Sequence, residues 1–215
     1  MAPAASTVPR TSKVRIQGIL TKISMRRKAP LLAVLLLGLA LIGVVIGAAA
    51  TARTPEPAAS ASLDTALKQL ELIRPSRPKV AEDFSLPTID GGSFRLAEQR
   101  GKVVLVNFWA TWCAPCLEEM PAMERLWRRH KDAGFILVAV SVDTDPKKVP
   151  PFVSARKFSF PVVVDPKMAV AEKYGVRAVP SSFVVDRTTT IAGVALGPRV
   201  WDGAAAHGLV EAMLR

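Results

Sequence analysis

Two cysteines, Cys113 and Cys116, stand in the stretch NFWATWCAPCLEEMP, and the chain of 215 residues has no others. Three chemistries use such a pair: a structural staple, a metal clip, and thiol–disulfide exchange. A structural zinc site needs four ligands, and neither a second CxxC nor a paired-histidine motif supplies the rest. His130 and His207 are the only histidines, and His130, within RRHKD, reads as a solvated helix residue rather than a ligand. No metal site is therefore expected, and no cofactor. A permanent staple is also a poor reading, because closing so short a loop removes little chain entropy. Exchange needs an accessible thiol of low pKa with a second thiol near enough to resolve a mixed disulfide. A CxxC at the start of a helix provides both. The first sulfur faces the unsatisfied N–H groups and the positive end of the helix dipole. The second lies one turn on. The same two thiols are soft enough to hold Cu(I), so a copper chaperone without reductase turnover stands as the alternative.

The elements that must position this pair are legible on either side of it. VVLVNFW, residues 103–109, is an unbroken apolar run of β-branched and aromatic residues, the pattern of a strand buried on both faces. A helix is expected over about 113–131, then a second buried strand over 135–143. Residues 146–157 and 167–174 read as helical, with a short strand over 160–165 between them. Strands over 181–186 and 191–196 are separated by a four-residue turn and form an antiparallel pair; a helix over 202–214 closes the chain. Upstream, DFSLPTIDGGSFRLAEQRGK gives short strands around the Gly91-Gly92 turn. Alternating strands and helices followed by a hairpin and a helix make an α/β domain with a mixed sheet. Asp143 and Asp145 read as turn residues, and Trp109, Trp127 and Trp201 as structural.

At this point the residues carry a resemblance. FWATWCAPC after an apolar strand resembles a thioredoxin active site, and GVRAVPSSFVVD resembles that family's cis-proline segment. The resemblance implies a thioredoxin-like fold over residues 80–215 and a redox-active disulfide between Cys113 and Cys116. It implies a cis peptide at Val179-Pro180 facing Cys113. It places Trp112, Ala114, Pro115, Val179 and Pro180 against an extended substrate segment. Pro121 stands where the family kinks the active-site helix, as an interior proline does. Within the superfamily the chain is most similar to membrane-anchored TlpA/ResA-type proteins. The features that carry this are the CxPCxxEMP arrangement, the opening hairpin and an extra segment between residue 143 and Pro180. One departure from thioredoxin itself matters: Asn107 takes the place of a buried aspartate behind the cysteines. An amide cannot accept a proton at neutral pH. Glu119, three residues after Cys116 and on the same helix face, is the acid of the TlpA/ResA-like pattern. Buried there with a raised pKa, it would handle the proton of the resolving thiol. Glu118 lies off that face. A peroxiredoxin shares the fold but would not need this CxxC.

The remainder of the chain bears on location. Residues 1–80 carry 12 Lys+Arg against 3 Asp+Glu, whereas residues 81–215 carry 17 against 15. The basic balance thus belongs to the N-terminal part, and a nucleic-acid-binding domain, which would need its own basic face, is not indicated. Residues 29–52 are uncharged and come after a basic lead, residues 1–28, with no acid. At about 1.5 Å per residue a helix of that length spans a ~30 Å bilayer core. The positive-inside tendency keeps the N-terminus cytoplasmic and exports the chain beyond the span. An uncleaved signal anchor is the reading adopted; a signal peptide cleaved after ATA, residues 50–52, is the alternative. Residues 53–79, rich in Pro, Ala and Ser with a short helix expected over 63–73, read as a linker. The expected protein is a monomer, anchored in the cytoplasmic membrane with its redox domain in the periplasm. By resemblance its partners are client proteins of cytochrome biogenesis, either apocytochrome c or copper-site proteins, and a membrane electron-transfer reductant.

Overall fold

The computed structural model describes residues 56–215. The expected membrane span at 29–52 and its basic lead lie outside them; among the described residues no helix is long and apolar enough to cross a membrane.

At the centre is β3 (Val103–Trp109), every residue of which is buried. It pairs in parallel with β4 (Phe135–Ser141), which pairs in parallel with β5 (Val162–Val164). On its other side β3 runs antiparallel to β6 (Ser181–Val185), and β6 is antiparallel to β7 (Ile191–Leu196). The sheet order is therefore β5-β4-β3-β6-β7, a mixed sheet as the alternation of elements implied. A separate hairpin, β1 (Ser85–Pro87) with β2 (Ser93–Arg95), turns through Gly91, whose φ of +92° only glycine adopts freely. Helix α2 (Ala114–His130) links β3 to β4. The segment between β4 and Pro180 supplies α3 (Val149–Arg156), β5 and α4 (Ala169–Lys173). Helix α5 (Ala204–Leu214) ends the chain.

Because side chains alternate along a strand, β3 separates two environments. Phe108 joins Phe84, Phe94, Tyr174 and Phe183 in an aromatic cluster beneath the hairpin and α4. Asn107 and Trp109 point to the opposite face, the one α2 covers. Asn107 is directly opposite Ser182 in the β3–β6 register, so a one-residue slip would exchange the polar pair for the aromatic one.

The N-terminal boundary differs from expectation. Residues 53–79 read as a linker, yet α1 (Glu56–Gln69) is a helix docked on the domain. Ala66, Leu67, Leu70 and Leu72 are buried in the common core, and Ile73 exchanges backbone hydrogen bonds with Val194 of β7. The chain from Pro55 onward forms one unit. Apolar residues at 63, 66, 67 and 70 make a helical stripe, in keeping with the short helix expected over 63–73; its docking on the domain is the difference. Gly193 makes the docking close: a Cβ there would sit 3.0 Å from Leu67 Cδ2. Leu67→Ala is accordingly expected to cost about 2–4 kcal/mol in denaturant unfolding. A loss below about 0.5 kcal/mol would show that α1 does not belong to the folded unit.

Candidate active site

The site forms where β3 gives way to α2. After Trp109 the chain turns through Ala110–Trp112 and enters the helix with Cys113 as its N-cap, Pro115 lying in the first turn. Proline is suited to that place because its missing N–H would have no intrahelical acceptor there. Cys113 and Cys116 are joined in a disulfide. The Cys116 N–H points at Cys113 Sγ, 3.3 Å away, so the position of this sulfur favours negative charge once the bond is reduced. Cys113 retains 5% exposure, whereas Cys116 has none. An incoming sulfur therefore reaches Cys113 first.

The approach to Cys113 is bounded by the segment before β6. The Val179-Pro180 peptide is cis, and Val179 O lies 3.6 Å from Cys113 Sγ. Trp112 is 70% exposed, and Ala114 and Pro115 are exposed beside it. The loop carrying the first cysteine is held from β4. Asp143 accepts hydrogen bonds from Thr111 N (2.9 Å), Thr111 Oγ1 (2.6 Å) and Ser141 Oγ (2.8 Å). The sequence pattern suggested a turn residue at Asp143; it is 3% exposed and braces the active-site loop.

Behind the disulfide lies a buried carboxyl. Glu119 is 4% exposed, one helical turn beyond Cys116. Its Oε2 accepts from Trp201 Nε1 (2.9 Å) and the Arg199 backbone N–H (3.0 Å). Its Oε1 accepts from Asn107 Nδ2 (3.0 Å), which also donates to Ser182 Oγ (2.9 Å). Burial raises the pKa of Glu119, and the hydrogen bonds from Arg199, Trp201 and Asn107 oppose it; burial prevails and pushes the carboxyl up to about 7. Near neutral pH this group can therefore accept or release a proton with little change in conditions. Oε1, with a single donor, is the oxygen with room for that proton. Asn107 Oδ1 has no hydrogen-bond partner among the described residues. A half-turn of the amide would present it to a protonated Oε1. Asn107 can thus match either state of Glu119, which a second carboxylate at this position could not.

Sequence reasoning missed two of the three donors. Trp201 read as structural, although a buried indole N–H calls for an acceptor. Arg199 contributes a backbone N–H, for which no sequence signal exists. The Arg199 guanidinium meanwhile donates to Leu70 O (2.7 Å) and Pro198 O (2.8 Å), fixing the loop after β7 against the end of α1. His130 also departs from expectation. It is 5% exposed, and its Nε2 lies 2.9 Å from His207 Nδ1, joining α2 to α5 away from the cysteines. Glu118 is exposed, as its helix face required.

The comparisons with known proteins accord with this geometry. A family model described as AhpC/TSA family matches residues 78–194. The chain is 39% identical over 120 residues to the thioredoxin-like protein YneN of Bacillus subtilis, covering 54% of this chain and 69% of that protein. It is 37% identical over 117 residues to the thiol-disulfide oxidoreductase ResA of Halalkalibacterium halodurans, covering 54% of this chain and 66% of that one. Among solved structures, a thioredoxin-family thiol:disulfide interchange protein of Chlorobium tepidum superposes with a TM-score of 0.58 at 32% identity, covering 66% of this chain and 99% of the other. StoA of Bacillus subtilis gives 0.50 at 28%, covering 56% and 92%.

The raised pKa of Glu119 predicts a pH signature. Between pH 4.5, the ordinary value, and about 7 the folded chain holds a proton that the unfolded chain has lost. Its contribution to stability is therefore complete below 4.5 and is lost as pH rises through about 7. The change is on the order of 3 kcal/mol. Denaturant unfolding of the disulfide form should show this decline in the native chain and not in Glu119→Gln. Identical pH profiles for the two would mean that the carboxyl titrates as if in water. With a thioredoxin-like fold, a disulfide at a helix start and relatives of this kind, the chain belongs to the AhpC/TSA family and is a thiol–disulfide oxidoreductase of ResA type.

Proposed function

We propose that the protein works as a reductase of client disulfides outside the cytoplasm, tethered through residues 29–52, with Glu119 as the proton-handling group. The observation that carries the reading is a carboxyl, Glu119, buried one helical turn beyond the fully buried sulfur of Cys116, where burial raises its pKa. In the reduced protein the Cys113 thiolate attacks one sulfur of a client disulfide. A mixed disulfide forms and the first client sulfur leaves as a thiolate. The Cys116 thiol then passes its proton to Glu119, and its thiolate attacks Cys113 Sγ. The second client sulfur departs as a thiolate and takes up a proton. The client gains two electrons, and the protein is left with the Cys113–Cys116 disulfide. A dithiol electron donor in the membrane would reverse that last change.

During the first step the client chain would lie extended beside Val179, with Trp112, Ala114 and Pro115 flanking its cysteine and Pro180 shaping the groove. Trp109 and Pro121 fix the strand end and the helix that carry the pair. An exported compartment is oxidising, so clients whose thiols must stay free require a dedicated reductant. The TlpA/ResA resemblance supports clients of cytochrome biogenesis, namely apocytochrome c or copper-site assembly proteins. The proximity of charged and uncharged forms of Glu119 at neutral pH favours turnover over static metal holding.

Two experiments bear on this. Cys116→Ser keeps the nucleophile and removes the resolving thiol, so it should accumulate a thiol-sensitive covalent adduct with its client in cells. Recovery of no adduct while Cys113 remains reactive would count against the scheme. In the purified chain Glu119→Gln should leave formation of the mixed disulfide unchanged and slow its resolution roughly 100-fold or more near neutral pH. The native resolution rate should rise as pH passes through about 7. A variant with the same profile as the native chain would remove Glu119 from the mechanism.

A further inference from the structure

We propose that a basic groove running along α2 from Leu117, one turn after Cys113, docks an acidic segment of the client protein. The proposal rests on the reductase reading above and adds the chemistry by which a client would be chosen. The groove has a volume of about 390 Å³. Leu117, Pro121 and Phe158 form its apolar part, and Arg125, Arg128, Arg156 and Lys157 supply the charge.

Its placement ties it to the redox pair. Leu117 stands one turn after Cys113, and its N–H donates to Cys113 O at 3.1 Å. Pro121, Arg125 and Arg128 continue on the same face at helical spacing, while α3 and the residues just after it form the other wall. Cys116 and Glu119 occupy the buried side of this helix. Pro121 has no N–H, so the helix forms no Pro121-to-Leu117 backbone hydrogen bond here. From residue 113 to residue 128 the helix rises about 22 Å, the reach of roughly seven extended residues. Acidic side chains within about seven positions of the client cysteine would meet the groove.

The charge is unbalanced. Glu124 is the acid in the groove wall, and its carboxylate is engaged by Ser159 N (2.9 Å), Ser159 Oγ (2.6 Å) and Arg128. Arg125 pairs with Asp202. Arg156 has its guanidinium carbon 3.6 Å from the Phe152 ring centroid, and neither it nor Lys157 has a carboxylate partner among the described residues. Residues 81–215 carry 17 basic and 15 acidic side chains. Against a balance that close, two cations without carboxylate partners in one groove complement an acidic segment and repel a basic one. The apolar part gives the client's intervening side chains somewhere to lie.

Three peptides test this. Each has one cysteine in a mixed disulfide with 2-mercaptoethanol, flanked on both sides by glutamate, glutamine or lysine within seven residues. Their reduction by the reduced full chain is followed by stopped flow, beside that of the neutral reagent bis(2-hydroxyethyl) disulfide. At low salt the glutamate peptide should react about tenfold faster than the glutamine peptide, with the lysine peptide slowest. The preference should shrink at 0.5 M salt, where charges are screened within about 5 Å. It should also disappear in Arg156→Glu/Lys157→Glu, which should reduce bis(2-hydroxyethyl) disulfide at the native rate. Equal rates for the three peptides, or a preference that survives in the variant, would overturn the groove's role while leaving the reductase reading intact. Failure to reduce bis(2-hydroxyethyl) disulfide would overturn the reductase reading and the groove's role with it. Binding to anionic phospholipid vesicles that the variant loses, without peptide discrimination, would reassign the surface to the membrane.

Discussion

The burial of one carboxyl behind a disulfide organises this molecule. Glu119 is held by an amide from β3, an indole N–H and a backbone N–H from the loop after β7. These donors must arrive from two distant parts of the chain. Asn107 arrives because β3 and β6 adopt a register that puts it opposite Ser182. Arg199 and Trp201 arrive because the loop after β7 is pinned by the Arg199 guanidinium to the carbonyl end of α1. The docking of a helix read as linker therefore reaches the chemical centre: Leu70 O holds Arg199, and the Arg199 N–H holds Glu119.

Burial and hydrogen bonding oppose each other at this group, and their balance sets its chemistry. Hydrogen bonds to the carboxylate alone would drive its pKa below the usual range, and burial without donors would carry it far above neutrality. With both, it settles near 7, where proton transfer in either direction costs little. Asn107 contributes to that balance as an uncharged donor. A carboxylate at this position would place two like charges in one buried site and raise one pKa further. The acid stands on the helix, and the neutral amide on the strand suits that arrangement.

Much of this was legible in the sequence. The strand 103–109, the helix after it, the closing hairpin and helix, and the CxxC at their junction all derive from apolar runs and spacing, because local pattern dictates them. The position of Glu119 on the Cys116 face came from helical spacing. The features that escaped depended on long-range contact. Asp143 looked like a turn acid because its partner Thr111 lies 32 residues away. His130 looked solvated because the residue that completes it, His207, is on another helix. Trp201 looked structural because its acceptor is 82 residues distant. A backbone donor such as that of Arg199 has no side-chain signature at all.

The central claim is that Glu119 titrates near neutrality because the fold buries it. The direct measurement is a pH titration of the Glu119 side-chain carboxyl carbon by NMR in the disulfide form, assigned against Glu119→Gln. The account predicts a midpoint near 7, well above the ordinary 4.5. A midpoint at 4.5 or lower would show that hydrogen bonding or water prevails over burial, and would contradict it.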